Sequence, residues 1–265
     1  MASLQDLSPR DQQIMALSRR TANLDPDRLK AFREEILRSY EAASIVGQTG
    51  RLAEVLGRTP LGFTIISKTE TRSLAEFNDP SFYWDLYCSD LGRAIALGEE
   101  LYLFGSLMER ISPSDDAITS EDPDFNVLFK HINELRDEGH KPDVICAPIS
   151  VMVPFLTKLH SQMRWGSHPA EILLKPSGDI LRVFWSSRNR PLDRFVVFDS
   201  SAGLWSVRPD PESGHRLTVA IGEAEKHPDS VVWLAETAVK YEMIDPSAFR
   251  SVRLDGPIDD SKQGE

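Results

Sequence analysis

The chain has 265 residues, of which 41% are hydrophobic and 27% charged, a composition typical of globular proteins that bury a core. Its formal net charge is −11, which argues against a dedicated nucleic-acid binder because such proteins present a basic face to phosphates. A protein that only surrounds nucleic acid is compatible with this charge. Two cysteines, Cys88 and Cys146, are too few for a disulfide framework or a zinc site, so we interpret both as reduced core residues.

The sequence shows no signal peptide and no membrane span. Its first residues lack the charged start and apolar stretch of a secretion signal. The most apolar window, Val144 to Leu156, is shorter than the ~20 residues that a membrane helix needs and contains two prolines. We therefore expect a soluble protein that makes no membrane contact.

The first 50 residues predict an N-terminal arm that contains one firm helix. Residues 1–24 are polar with weak helical periodicity, so we expect them to be partly ordered. Asp25 followed by Pro26 is a typical helix start, an N-cap residue before a proline in the first turn. This helix should end near Ser44. Its apolar stripe consists of Leu29, Phe32, Ile36 and Tyr40.

Residues 51–77 predict a hairpin. Two extended candidates, Leu52–Leu56 and Leu61–Ser67, flank the residues Gly57-Arg58-Thr59-Pro60. Because glycine and proline favour turns between apolar stretches, we expect the two segments to pair with each other.

Two further helices begin at the same kind of signal. Asn78-Asp79-Pro80 opens a long helix to about Leu103, with the stripe Tyr83, Tyr87, Leu91, Ala94 and Leu101. After a polar loop from Gly105 to Glu121, Asp122-Pro123 opens the next helix, and Gly139 ends it. The stripe of that helix is Phe125, Leu128, Phe129, Ile132 and Leu135.

From residue 143 onward the predictions are mostly strands. A buried strand over Asp143–Ala147 precedes a helix over Val151–Met163, and the acidic tail 255–265 is expected to be disordered. Helices followed mainly by strands form an α+β pattern. The remaining strands are bounded by Gly, Pro, Asn or Asp and cover Ile180–Ser186, Arg194–Asp199, Gly203–Arg208, Arg216–Ile221 and Val231–Ile244.

Four elements, from Asn78 to Leu254, carry a resemblance to a known family. They are the long helix Pro80–Leu103 ending in an acidic, apolar and glycine-containing turn at 98–105, the helix and buried strand of 125–148 with Pro148 behind it, the strands 181–187 and 195–199, and the closing strand Ala235–Ile244 with Asp245-Pro246 and Ala248-Phe249 after it. In this order they resemble the HK97-like capsid fold, the fold of the major capsid protein of bacteriophage HK97 and of encapsulin nanocompartments.

The resemblance implies a division of the chain into the parts of such a shell subunit. Residues 1–50 would be the N-terminal helical arm and 51–77 a short extended loop, the E-loop, which laces neighbouring subunits together in this family. The long helix would be the spine of the subunit. The peripheral domain would consist of residues 78–140 and 235–254, and the axial domain of residues 141–234.

The resemblance also implies a structural function. Copies of the chain would form pentamers or hexamers and then a closed icosahedral-type capsid or nanocompartment, either a virion or a cytoplasmic shell. Its contents would be nucleic acid or cargo protein held without sequence-specific contacts. No enzyme activity, catalytic residue, cofactor or metal is expected. Trp165, Trp185 and Trp205 are candidate interface anchors, although core packing explains Trp185 at least as well because it lies within an apolar run.

An enzyme is the sharpest alternative. Gly105-Ser106 followed by Asp122 and Asp124 resembles the signature of minimal nucleotidyltransferases, with Asp143 as a third carboxylate. Three carboxylates could hold two metal ions that clamp a triphosphate. However, helix capping alone explains Asp122, and that family gives no account of the strand-rich C-terminal half.

Other interpretations stay open. A soluble interaction scaffold that binds one partner and builds no lattice is not excluded. Arg188, Arg190 and Arg194 could bind a phosphate, and the acidic loop from Asp115 to Glu121 could bind a divalent cation weakly, although both are more typical of solvated loops.

Overall fold

The computed structural model describes residues 8–19, 24–47, 51–56, 61–79, 81, 83–108, 117–119, 126–160, 163–166, 171–174, 180–186, 194–224 and 227–255. Six α-helices lie within these ranges: α1 (Pro9–Arg19), α2 (Pro26–Ala43), α3 (Leu74–Asn78), α4 (Trp84–Met108), α5 (Asn126–Asp137) and α6 (Ile149–Leu159). The same ranges contain twelve strands: β1 (Arg51–Glu54), β2 (Thr64–Ser73), β3 (Ala117–Thr119), β4 (Val144–Pro148), β5 (Met163–Trp165), β6 (Glu171–Leu174), β7 (Ile180–Ser186), β8 (Arg194–Phe198), β9 (Gly203–Val207), β10 (Thr218–Ala224), β11 (His227–Met243) and β12 (Phe249–Asp255).

The chain forms two compact units. Unit 1 consists of Met1–Ser106 and Leu204–Glu242, and unit 2 of Leu107–Gly203 and Met243–Glu265. The names peripheral and axial refer to positions in a shell, so the domain assignments made from the sequence stay predictions. None of the helices described is long and apolar enough to cross a membrane.

Unit 1 is built on a five-stranded sheet around the long strand β11. The order is β1-β9-β11-β10, and β2 also pairs with β11. β2 runs antiparallel to β11 from Thr64 opposite Val239 to Ser73 opposite Ser230, whereas β1 runs parallel to β9. The predicted hairpin between the first two extended segments is therefore wrong. A two-stranded hairpin is only marginally stable by itself, and pairing with strands of a larger sheet satisfies the same backbone groups beside a buried core.

The N-terminal helices pack onto this unit. The predicted start of α2 is confirmed, because the Asp25 side chain accepts the backbone N–H of Asp27 and all four residues of the predicted stripe are buried. α1 lies on β10 so closely that a Cβ atom at Gly222 would come within 2.3 Å of the Leu17 carbonyl oxygen. That this arm also reaches neighbouring subunits stays a prediction.

The long helix α4 differs from its prediction in three respects. It begins at Trp84 and continues to Met108, so residues 98–105 are helical and do not form the predicted turn. Its buried face agrees with the predicted stripe at Leu91 but not at Tyr83 and Ala94, which are exposed. The physical reason is Gly92, where a Cβ atom would come within 2.7 Å of the Ile36 carbonyl oxygen of α2. The backbones of the two helices therefore lie close together at Gly92. The buried face consists of Cys88, Leu91, Ile95, Ala96, Glu99 and Leu103.

Unit 2 is built on a seven-stranded sheet with the order β3-β12-β8-β4-β7-β6-β5. β4 is buried at all five positions, and α5 and α6 pack against this sheet. The predicted bounds of β7 agree with the structure, but α6 ends at Leu159 because Met163 already belongs to β5. The short strands β3, β5 and β6 were not predicted. Residues 122–125 and the tail 256–265 lie outside the described residues.

Candidate functional site

The residues proposed to bind phosphate in a nucleotidyltransferase lie in a helix. Gly105 and Ser106 are in the last turns of α4, and the Ser106 hydroxyl donates to the Leu103 carbonyl oxygen at 2.9 Å. Backbone N–H groups inside a helix donate to the carbonyl four residues earlier, so they are not free to cradle a phosphate. The structure therefore gives this pair a local structural role.

Asp143, the proposed third carboxylate, supports a turn. It accepts the backbone N–H of Ser200 at 2.8 Å and also the Ser200 hydroxyl. Burial raises the pKa of Asp143, and the hydrogen bonds from Ser200 oppose that rise. Asp122 and Asp124 lie outside the described residues. Among the residues that are described, no group of three or more His, Cys, Asp or Glu side chains could hold a metal ion.

The three tryptophans proposed as interface anchors differ in exposure. Trp205 is buried in unit 1, where its ring centroid lies 5.0 Å from that of Tyr241, so its prediction as an interface anchor is wrong. Trp185 lies on β7, but its side chain is outside the described part of the chain. Trp165 is 59% exposed at the end of β5. It is therefore the tryptophan whose placement fits the predicted contact.

The surroundings of Trp165 explain why this ring is exposed. Among the described strands, β5 lies at one edge of the sheet of unit 2. Trp165 pairs with Ile172 of β6, which in turn pairs with Leu181 of β7. Register partners on neighbouring strands point to the same face of a sheet. Ile172 and Leu181 are fully buried in the core of unit 2. The apolar face of the sheet therefore extends beyond its covered part and ends in an exposed indole ring.

Unit 1 also exposes large apolar side chains. Tyr83, directly before α4, is 82% exposed, and Leu86 and Leu97 of α4 are 61% and 52% exposed. The helical repeat of 3.6 residues places Leu86 and Leu97 within one sector of α4. Large exposed apolar side chains of unit 1 elsewhere are Leu52, Leu56, Leu61 and Ile65.

A buried carboxylate in unit 1 was missed by sequence reasoning. Glu99 of α4 is fully buried and accepts hydrogen bonds from the Tyr40 hydroxyl at 2.5 Å and the Ser44 hydroxyl at 2.6 Å. Burial raises the pKa of Glu99, and the hydrogen bonds from Ser44 and Tyr40 oppose that rise. The sequence did contain a signal for this burial, because Glu99 follows Leu91 and Ile95 at steps of four residues and so lies on the same helix face.

The described residues form no phosphate site or cation site from the weaker sequence candidates. Arg188 and Arg190 lie outside the described residues. Of the acidic loop from Asp115 to Glu121, the structure describes the strand β3 alone. Arg194 begins β8, where its register partner on β12 is Arg253. The described residues therefore do not bring the proposed phosphate ligands together.

Comparison with solved structures identifies the fold. A virus-like particle from Pyrococcus furiosus matches with a TM-score of 0.53 and 12% sequence identity, over 84% of this chain and 98% of that chain. A procapsid of satellite phage P4 matches with a TM-score of 0.48 and 10% identity, over 84% and 99% of the two chains. An encapsulin complex from Synechococcus elongatus matches with a TM-score of 0.46 and 14% identity, over 72% and 73%.

The chain therefore has an α+β fold of the HK97-like class, as the resemblance in its sequence predicted. The match to the Pyrococcus furiosus particle carries this conclusion, because it covers nearly the whole of that chain. No protein-family model and no curated protein sequence matches this sequence.

Proposed function

We propose that this protein is a structural shell subunit whose copies assemble into a closed capsid or nanocompartment. The observation that carries the proposal is Trp165, an exposed indole ring at the edge of a sheet whose same face is buried further inside. The HK97-like fold supports it, because a solved structure that matches 84% of this chain with a TM-score of 0.53 is that of a virus-like particle.

The position of Trp165 suits a contact between copies. An edge strand offers unpaired backbone groups to another chain, and natural proteins usually protect such edges. Tryptophan is also enriched among the residues that dominate interface energies. A neighbouring copy that covers β5 would extend the core of unit 2 over the exposed indole. Closed point symmetry would then limit the number of copies and prevent open fibres.

The finer parts of the proposal follow the resemblance. We infer that residues 141–234 supply contacts around fivefold or sixfold axes and that residues 51–77 supply a short inter-subunit loop. The contents would be nucleic acid or cargo protein without sequence-specific contacts, in a virion or a cytoplasmic shell. The role is structural and uses no catalytic residue, cofactor or metal.

The test is the particle mass of the wild type and of Trp165→Ala, by light scattering after size exclusion and by negative-stain microscopy. The wild type should form closed particles or five- and sixfold rings. Truncation of an interface anchor typically costs about 2 kcal/mol or more per contact, and each particle repeats the contact many times. The variant should therefore give subunits or small oligomers at concentrations where the wild type assembles.

His160→Ala is the matched control, because it removes another exposed ring from unit 2, at the end of α6. This control should assemble like the wild type. A wild-type chain that stays monomeric or dimeric across salt and pH would contradict the shell function. Normal particles from Trp165→Ala would contradict the role of this residue but leave the function standing.

A further inference from the structure

The outer edge of β2 in unit 1 has no partner strand among the described residues. β2 pairs with β11 on one side only, and this pairing runs from Thr64 to Ser73 without a register shift. The strand contains neither a proline nor a bulge, two common means of protecting a sheet edge. Its outward backbone groups are therefore available to another strand.

The charged side chains of β2 alternate in sign. Lys68, Glu70 and Arg72 follow one another on one face of the strand, and the Glu70 carboxylate lies 3.6 Å from Lys68 and 3.7 Å from Arg72. α4 covers this face, because the Tyr87 hydroxyl donates to Glu70. A lone lysine on an edge strand repels a second copy of the strand. An alternating row is self-complementary, because an antiparallel copy can place lysine opposite glutamate.

The length of β2 and the order of its charges favour one register. In an antiparallel pair related by a twofold axis, side chains opposite each other lie on the same face. With Thr69 on the axis, residues 65–73 pair, and Lys68 lies opposite Glu70 of the second copy on both sides of the axis. With Lys68 or Glu70 on the axis, like charges would lie opposite each other. With Thr71 on the axis the signs match, but the overlap is only about half as long.

α4 exposes apolar side chains at the same edge. Gly92 lies against α2, and Gly98 lies against Ile66 of β2, so these two glycines mark the sides of α4 that face its neighbours. The repeat of 3.6 residues per turn places Leu86 and Leu97 on the side that faces away from α2, above the outer edge of β2. Both leucines are exposed.

The position of α4 leaves room for a copy of itself. Tyr87 donates to Glu70 of β2 and accepts the indole N–H of Trp233 of β11, so α4 lies above both strands. Two strand spacings, about 10 Å, would therefore separate α4 from its copy across the axis, and packed helices lie about 8–10 Å apart. The two helices would run antiparallel, which brings Leu86 opposite Leu97 of the second copy.

We propose that β2 and α4 form a twofold interface between two copies of this chain, with Thr69 on the axis. The two sheets of unit 1 join into one through β2, and α4 covers the joint on one face together with its copy. Such an interface is isologous, so each contact occurs twice. This contact belongs to the proposed shell function, on which its role rests, and it is separate from that of Trp165 in unit 2.

The first experiment places a cysteine on the axis in the full-length protein. Thr69 is exposed, and both native cysteines are buried. Residues directly opposite in an antiparallel pair have Cα atoms about 4.5–5.5 Å apart, a distance that a disulfide spans. Thr69→Cys should therefore give a disulfide-linked dimer as the main product of mild oxidation, measured on a non-reducing gel.

Thr71→Cys is the matched control, since Thr71 is an exposed threonine on the same face of β2. In this register the two copies of residue 71 lie four positions apart along the strands, about 14 Å, which a disulfide cannot span. No dimer from Thr69→Cys, or an equal yield from Thr71→Cys, would overturn the proposal. Particles of Thr69→Cys without a linked dimer contradict this interface but leave the shell function standing. A linked dimer that never forms particles supports the interface and contradicts the shell function.

The second experiment tests the helix contact in the Thr69→Cys background. Leu97→Glu places a charge beside Leu86 of the second copy, and the yield of linked dimer should fall at least about fivefold, because burying an unpaired charge is costly. Leu56→Glu is the matched control, since Leu56 is an exposed leucine of unit 1 outside β2 and α4, and it should leave the yield unchanged. An unchanged yield in Leu97→Glu, or an equal loss in Leu56→Glu, would rule out the contact between the two copies of α4.

Discussion

The two compact units attach their helices in different ways. In unit 1 buried carboxylates join elements that are distant in sequence: Glu99 of α4 accepts from Tyr40 of α2, and Glu236 of β11 pairs with Arg10 of α1. In unit 2 the helices α5 and α6 pack through an extended apolar cluster. The carboxylates of Asp143 and Asp199 bind backbone N–H groups near the ends of strands instead.

The helices of the two units should therefore be sensitive to different changes. Apolar packing depends on volume and shape and is insensitive to pH, whereas a buried carboxylate depends on direction and on its protonation state. The helices of unit 1 should therefore respond to pH and to changes in helix spacing. Those of unit 2 should respond mainly to lost volume.

The largest expected effect concerns the apolar core of unit 2. Phe155 of α6 is fully buried and packs edge-on against Phe195. Phe155→Ala should lower the free energy of unfolding by about 3–5 kcal/mol, because it removes apolar surface and leaves a cavity. Urea titration measures the loss, and hydrogen exchange in β4 locates it. Val153→Ala on the exposed side of α6 is the control, and a loss as large as that of Phe155→Ala would contradict the assigned buried face.

An intermediate effect concerns the spacing of helices in unit 1. Gly92→Ala places a Cβ atom 2.7 Å from the Ile36 carbonyl oxygen and 2.8 Å from the Tyr40 backbone nitrogen, so α2 and α4 must move apart. Overpacking of this kind costs about 1–3 kcal/mol, which the better helix propensity of alanine offsets by up to about 1 kcal/mol. The melting temperature should fall accordingly.

Gly98→Ala is the matched control on the same helix. Its Cβ atom would meet only the side chain of Ile66, at 2.5 Å from Cγ2, and a side chain can move more easily than a helix backbone. We expect this variant to change stability by no more than about 1 kcal/mol. If both variants lowered the melting temperature equally, helix propensity and local strain rather than the contact between α2 and α4 would explain the loss.

The smallest expected effect is a pH dependence that Glu99 contributes to unit 1. The groups that face Glu99 are Tyr40 and Ser44 from α2 and its C-cap, Arg216 from the turn before β10, and Thr237 from β11. Burial raises the pKa of Glu99 in the folded protein above the ordinary glutamate value of 4.5, so the folded state retains a proton that the unfolded state has lost. Its stabilising contribution is therefore complete below pH 4.5 and is lost as the pH rises to the raised pKa.

Glu99→Gln should remove this part of the pH dependence. At low pH it should cost about 1 kcal/mol, because an amide replaces a protonated carboxyl in the same hydrogen bonds, and the difference from the wild type should shrink as the pH rises. Urea midpoints measured between pH 4 and pH 7 test this, with Glu34→Gln as the control, because Glu34 is an exposed glutamate of α2. A wild-type pH slope that persists unchanged in Glu99→Gln would contradict the assignment.

The sequence by itself determined those elements whose signals lie within a few residues. α2 follows from Asp25, Pro26 and a stripe at helical spacing, because capping and amphipathicity are local. Short apolar runs between turn residues predict the bounds of β7 and the existence of the buried strand β4. The HK97-like fold was predicted from the resemblance of four elements between Asn78 and Leu254, taken in their order along the chain.

Only the tertiary structure decided which surfaces meet. Nothing local distinguishes Trp205 in the core from Trp165 at a sheet edge, because their exposure depends on strands and helices far away in sequence. The partners of β1 and β2 likewise depend on contacts between distant segments. The reason is that propensity and periodicity describe one segment at a time, whereas strand pairing and burial depend on pairs of segments.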